Sequence, residues 1–170
     1  MGALSIIAEA LRYPARDRLT SLQDAVTSLP RGAARSALET FVERAGTLTL
    51  VQWEELYTRT FDLNPYAPPY VAYVIWGQGY NRGRFLTKLG PAMQACGIDL
   101  DGELPDHLVP ILRYLDQTTA PIVELNPILE LALRSIHTRL QKEDPDNIYL
   151  GLISAAIEEL PWQDDVISLT

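Results

Sequence analysis

The chain has 170 residues, 47% of them apolar and 21% charged, which suits one domain with a substantial core and argues against disorder. Net charge is −8, and residues 101–170 carry 13 acidic against 4 basic side chains, while residues 1–100 are nearly balanced at 9 against 10. No basic face is concentrated anywhere, which excludes the usual nucleic-acid binder, and the acidic last segment suits either a basic partner or simple solubility.

The opening, Met1 to Leu11, has no basic residue before its apolar stretch and includes Glu9, unlike a secretory signal. No apolar run approaches the roughly 20 residues of a spanning helix. The single cysteine, Cys96, cannot bridge within the chain, which fits a reducing compartment. Together these features predict a cytoplasmic protein with no membrane insertion.

Apolar residues recur at helical spacing along the chain. Leu19, Leu22, Val26 and Leu29 form one stripe, and Ala34, Leu38, Phe41 and Ala45 a second, with Pro30 and Gly32 between them. Thr49 followed by Gln52 reads as a capping box opening a helix with Trp53, Leu56, Tyr57 and Thr60. Residues 64–69, three of them proline, cannot be helix interior. Tyr70 to Trp76 has strand-like composition, but a lone strand has no partner, so a buried helix is expected. Gly77-Gln78-Gly79 lacks the third glycine and the setting of a dinucleotide fingerprint and reads as a turn. The longest stripe is Ile122, Leu125, Leu129, Ala132, Ile136 and Leu140, with Pro121 at its start and Pro127 a candidate kink. A last helix through Tyr149, Leu152, Ile153, Ala156 and Leu160 is expected to end at Pro161. The whole predicts an all-α, single-domain bundle of roughly eight to ten helices.

Catalytic constellations are scarce. The two histidines, His107 and His137, have no second histidine or cysteine at metal-ligand spacing, so no metal or cofactor is expected, and no nucleophile–base pair is legible. Glu103, Asp106 and His107 are the one cluster that could serve as an acid–base or metal site. The simpler expectation is that Asp106 caps the helix that follows or fixes the loop before it, since a carboxylate there satisfies free N–H groups at the positive end of the dipole. Cys96 reads as a small core residue. Seven of the 14 aromatic residues fall within residues 57–80: Tyr57, Phe61, Tyr66, Tyr70, Tyr73, Trp76 and Tyr80. Such a set builds either a core or a groove for an apolar peptide, since these rings combine large contact area with a polar tip.

Tyr57-Thr58-Arg59-Thr60-Phe61-Asp62 resembles an element of the NarJ branch of the TorD/DmsD-like maturation chaperones for molybdoenzymes. Asn81-Arg82-Gly83-Arg84 resembles that family's Arg-Gly helix opening, and Glu103-Leu104-Pro105-Asp106-His107-Leu108 its most specific signature. Ala8 to Pro14 and the helix from Pro127 to Leu140 fit in order and spacing, so the similarity covers nearly the whole chain. Three departures stand out. Val109 intervenes before Pro110, Arg113 stands where an acidic residue is usual, and Gly90-Pro91 is expected to interrupt a helix that is continuous in relatives.

The resemblance implies a non-catalytic chaperone that binds the N-terminal segment of the catalytic subunit of a molybdopterin oxidoreductase. It would hold the apoenzyme for molybdenum cofactor insertion before membrane attachment or export. Asn64 to Tyr70 points to a nitrate-reductase-like client, or a kin enzyme for chlorate, selenate, dimethyl sulfide or ethylbenzene. The expected peptide site comprises Tyr57, Phe61, Asp62, Tyr70, Tyr73 and Trp76, together with Arg82 and Gly83, beside the signature loop Glu103, Pro105, Asp106 and His107. A monomer is expected to dominate, with a minor dimer formed by element exchange. Two alternatives stay open: a peptide-binding adaptor with another client, and a small hydrolase or metal-dependent enzyme using Asp106, His107 and Glu103.

Overall fold

Helix boundaries fall where the sequence carries its caps and breakers. The computed structural model describes residues 1–63 and 65–160, and among these there are nine helices and no strand. They are α1 (Ala3–Ala10), α2 (Arg16–Thr27), α3 (Ala33–Gly46), α4 (Leu50–Phe61), α5 (Val71–Trp76), α6 (Tyr80–Ala95), α7 (Leu108–Gln117), α8 (Leu125–Glu143) and α9 (Leu150–Glu159). The all-α bundle is therefore as expected; Asn64 and Pro161 lie outside the described residues. No helix among the described residues is long and apolar enough to cross a membrane.

The short α1 is apolar nearly all round, and Leu4, Ile6, Ile7, Ala8 and Ala10 are all buried, so it occupies the centre. It packs against α7, α2, α9 and α3. Its start is tied to α7 by Asp116, whose Oδ2 accepts from the Gly2 N–H at 2.9 Å and from the Ser5 hydroxyl at 2.7 Å. The stripes of α2 and α3 turn inward as the spacing requires, with Leu22, Val26, Leu38, Phe41 and Ala45 buried. The Thr49–Gln52 capping box forms in both directions at the head of α4, with bonds of 3.2 and 2.9 Å.

Three proline and glycine readings are refined. The expected turn at Gly77-Gln78-Gly79 is present: both glycines have positive φ, +67° and +134°, which glycine adopts without strain, and they close α5 and open α6. Pro127 causes no interruption. The helix begins at Leu125, not Pro121, so Pro127 falls in its first turn, where its missing N–H is one the helix would not use. Gly90-Pro91 does not interrupt α6 either, because the helix runs from Tyr80 to Ala95 with Pro91 inside it. Thr87 and Pro91 both lie on the exposed face, where water can reach the carbonyl left without an N–H. The helix ends in a Schellman motif, with Gly97 N–H on Gln94 O and Ile98 N–H on Met93 O, and Cys96 there is partly buried against the core.

Of the stretch from Tyr70 to Trp76, Val71–Trp76 does form a helix, packed on α8 and α6, but a half-buried one, with Tyr70 extended before it. Val71 and Ala72 are fully covered while Tyr73 and Trp76 remain 42% and 37% exposed.

Candidate functional site

The segment before α5 and the loop before α7 are spliced together. Val71 N–H donates to Asp106 O and Leu108 N–H donates to Pro69 O, both at 2.9 Å, which pairs Tyr70 with His107 as a single antiparallel bridge. This splice brings the Arg-Gly opening of α6 against the Pro-Asp-His loop. Arg82 grips Asp106 with two bonds, Nε to Oδ2 at 3.0 Å and Nη2 to Oδ1 at 3.2 Å, and both residues are buried.

Asp106 is therefore not the helix cap that its position suggests. Both its oxygens are committed to Arg82, and the cap of α7 is His107, whose Nδ1 accepts from Val109 N–H at 3.1 Å. A buried guanidinium nearby outcompetes the free N–H groups for the carboxylate, because an unpaired Arg82 would be far costlier than an unpaired amide.

Over this pair stand the tyrosines. The Arg82 guanidinium carbon lies 5.5 Å from the Tyr70 ring centre and 5.6 Å from that of Tyr73, in cation–π range. Tyr70 also packs edge-on to the His107 ring, centres 5.1 Å apart, and its hydroxyl donates to Glu103 Oε2. Burial, with the Glu103 hydrogen bond adding, pushes the Tyr70 hydroxyl above its usual pKa. Trp76 leans on Phe85 with centres 5.8 Å apart, and Tyr80 is 80% exposed. An aromatic strip thus runs over the outer side of the buried pair. Gly83 is exposed in the first turn of α6, and Pro105 is half-buried.

The other half of the expected site faces elsewhere. Phe61 is buried, 4.7 Å centre to centre from Tyr149 and 5.1 Å from Tyr57, in a cluster completed by Phe41 and Trp53. Trp53 Nε1 donates to the Tyr149 hydroxyl at 2.9 Å, which satisfies both groups inside that cluster. Phe61 therefore belongs to the core and not to a groove, and Asp62 is the exposed residue closing α4. Tyr57 is shared: its ring joins the cluster and it also lines a cavity of about 170 Å³ with Arg12, Arg18, Glu103 and His107. Burial, with Glu103 and Asp62 adding, pushes the Tyr57 hydroxyl up to about 12.

Arg113, unexpected in its position by the resemblance, has a structural partner set. With Arg12 it forms a ring of ion pairs through Glu9 and Asp101, at 2.8 and 3.0 Å from Arg113 and 3.1 and 3.2 Å from Arg12. Asp101 reaches both arginines from a left-handed backbone conformation, φ +53°.

Among the described residues, no three His, Cys, Asp or Glu side chains are grouped so as to hold a metal ion. One nucleophile–base contact does occur that spacing did not reveal: Ser154 Oγ lies 2.8 Å from His137 Nε2, across α8 and α9, beside an open cleft. Ser154 sits mid-helix, where neighbouring N–H groups serve the helix ladder and cannot also stabilise an oxyanion, so the contact reads as a helix–helix polar bond. Only the face each residue takes on its helix could have signalled this pair.

No protein-family model and no curated protein matches the sequence.

Proposed function

We propose that the protein is a chaperone for a nitrate-reductase-like molybdoenzyme. In this reading it binds the N-terminal segment of the catalytic subunit in the cytoplasm and holds the apoenzyme for molybdenum cofactor insertion before membrane attachment or export. One observation carries the reading: the Arg82–Asp106 pair joins the Arg-Gly and Pro-Asp-His elements, far apart in sequence, beneath an accessible strip of Tyr70, Tyr73 and Trp76. Those two elements carry the most specific part of the resemblance, and their meeting supports a shared role for them.

The peptide surface is accordingly narrowed to that strip, since Phe61 serves the core. An apolar side chain laid on it gains about 1.5–3 kcal/mol on burial, so three or four anchors, less association costs, give roughly micromolar and releasable binding. The protein acts mostly as a monomer, with a minor dimer.

Calorimetry against a synthetic peptide of about 15 residues, copied from the start of a co-encoded molybdoenzyme subunit, tests the proposal. Saturable binding that weakens in Trp76→Ala is expected. No heat from the peptide, while the intact apo-subunit still binds, would move recognition to another surface; no binding by either would end the reading.

A further inference from the structure

The cavity beside His107 is lined by donors that have no acceptor among the described residues. Arg18 lines it, and its guanidinium makes no hydrogen bond or ion pair among the described residues; one nitrogen, Nη1, is closed off within the protein. The Tyr57 hydroxyl lines the same space, has no partner among the described residues, and keeps its proton because burial raises its pKa. His107 supplies a third donor. Its Nδ1 accepts from Val109 N–H, so in the neutral ring the proton is on Nε2, and burial, outweighing the nearby carboxylates, favours that neutral ring. An enclosed N–H of a charged group without an acceptor is costly to keep, and is a rare feature of a folded chain.

The charges on the wall also leave one of each sign unpaired. Arg12 and Arg113 are neutralised by Glu9 and Asp101 in the ring of ion pairs. What remains is the Arg18 guanidinium and the Glu103 carboxylate, whose Oε2 takes the Tyr70 hydroxyl and whose Oε1 has no hydrogen bond among the described residues. A plain anion would suit Arg18 but repel Glu103 and Asp101. A ligand bearing both an oxyanion and an ammonium would answer both.

We infer that this cavity binds a small zwitterionic α-amino acid, its carboxylate held by Arg18, Tyr57 and His107 and its ammonium by Glu103. The cavity volume of about 170 Å³ suits a small amino acid such as glycine, alanine or serine. The inference stands on the cavity's own donors and does not require the peptide-binding reading, because the ligand is free in solution.

The test is a ¹⁵N-resolved titration of the full chain with glycine and alanine, beside acetate, methylamine and inorganic phosphate as probes. Saturable shifts at residues around His107 are expected with the amino acids, weaker ones with acetate or methylamine, and none with phosphate. Tyr57→Phe, which removes only a hydroxyl, weakens amino-acid binding about tenfold. Arg18→Met abolishes it while raising the melting temperature of the free protein, because an enclosed N–H without an acceptor has been removed. That opposite movement distinguishes a ligand-binding arginine from a structural one. Three outcomes overturn the inference: no saturable response to any amino acid, as for a cavity holding only water; equal responses in the wild type and both variants; or acetate binding as tightly as alanine, which would leave Glu103 without a role.

Discussion

Tyr57 and Phe61 lie on one side of the proline-rich connection and Tyr73 and Trp76 on the other, in a single aromatic-rich stretch, yet the two pairs do opposite things. The first pair joins Phe41, Trp53 and Tyr149 in an interior cluster in which the Trp53 N–H and Tyr149 hydroxyl satisfy each other. The second stands half-exposed over a buried ion pair, with the Tyr73 ring held against Arg82. Aromatic density is the same in both; what differs is helix phase and length. Helix α4 spans 12 residues and keeps its stripe on the core. Helix α5 has only six residues and buries one face, so its rings at Tyr73 and Trp76 remain outside.

The contrast can be broken most severely from below. Asp106→Ala leaves Arg82 charged, buried and unpaired, and should cost about 3–5 kcal/mol in a denaturant melt. Loss of a cap would cost only about 0.5–2 kcal/mol, so the measurement separates the two roles directly. Phe61→Ala should cost a similar 3–5 kcal/mol through the cavity it leaves in the core. Its effect on peptide binding should vanish once the folded fraction is accounted for. Tyr149→Phe is milder: it strips the acceptor from the buried Trp53 N–H, at about 1–3 kcal/mol, and should leave peptide binding unchanged. Trp76→Ala sharpens the contrast from the other side. Part of its ring is already exposed, so stability should fall by roughly 1–2 kcal/mol while peptide affinity drops tenfold or more.

The smallest expected effect is a pH dependence. Burial holds the folded-state His107 pKa below its ordinary 6.5. The unfolded chain therefore takes up a proton first as pH falls. Stability from this group is complete above about pH 6.5 and is lost below it, by at most about 1.4 kcal/mol per pH unit. His107→Asn retains a capping side chain but cannot titrate, so its melts should be flatter over pH 5–7; equal slopes would assign the effect to another group.

Much of the fold was legible because it rests on local rules. The stripes of α2 and α3, the Thr49–Gln52 box and the glycine turn at Gly77 and Gly79 each depend on residues within a few positions of one another. The site was legible only as a set of names. Nothing within a few residues of Asp106 says that Arg82, 24 positions earlier, will take both its oxygens. Nor does composition say that Phe61 faces inward, since that depends on where Tyr149 arrives from the other end of the chain. Pro91 escapes the local rules for a related reason: on an exposed face water can take the carbonyl it leaves without an N–H, and exposure is a tertiary property.

The two backbone bonds that splice residues 69–71 to residues 106–108 have a dynamic consequence. They bind the root of the aromatic strip and the loop under it into one cooperative unit, closed further by the Arg82 fork. The amides of Val71 and Leu108 should then exchange with solvent at a common rate, and any partner that pries α5 from the bundle must lift the His107 loop with it. What rests on the outer tyrosines is thereby mechanically geared to the cavity beside His107, some way beneath them.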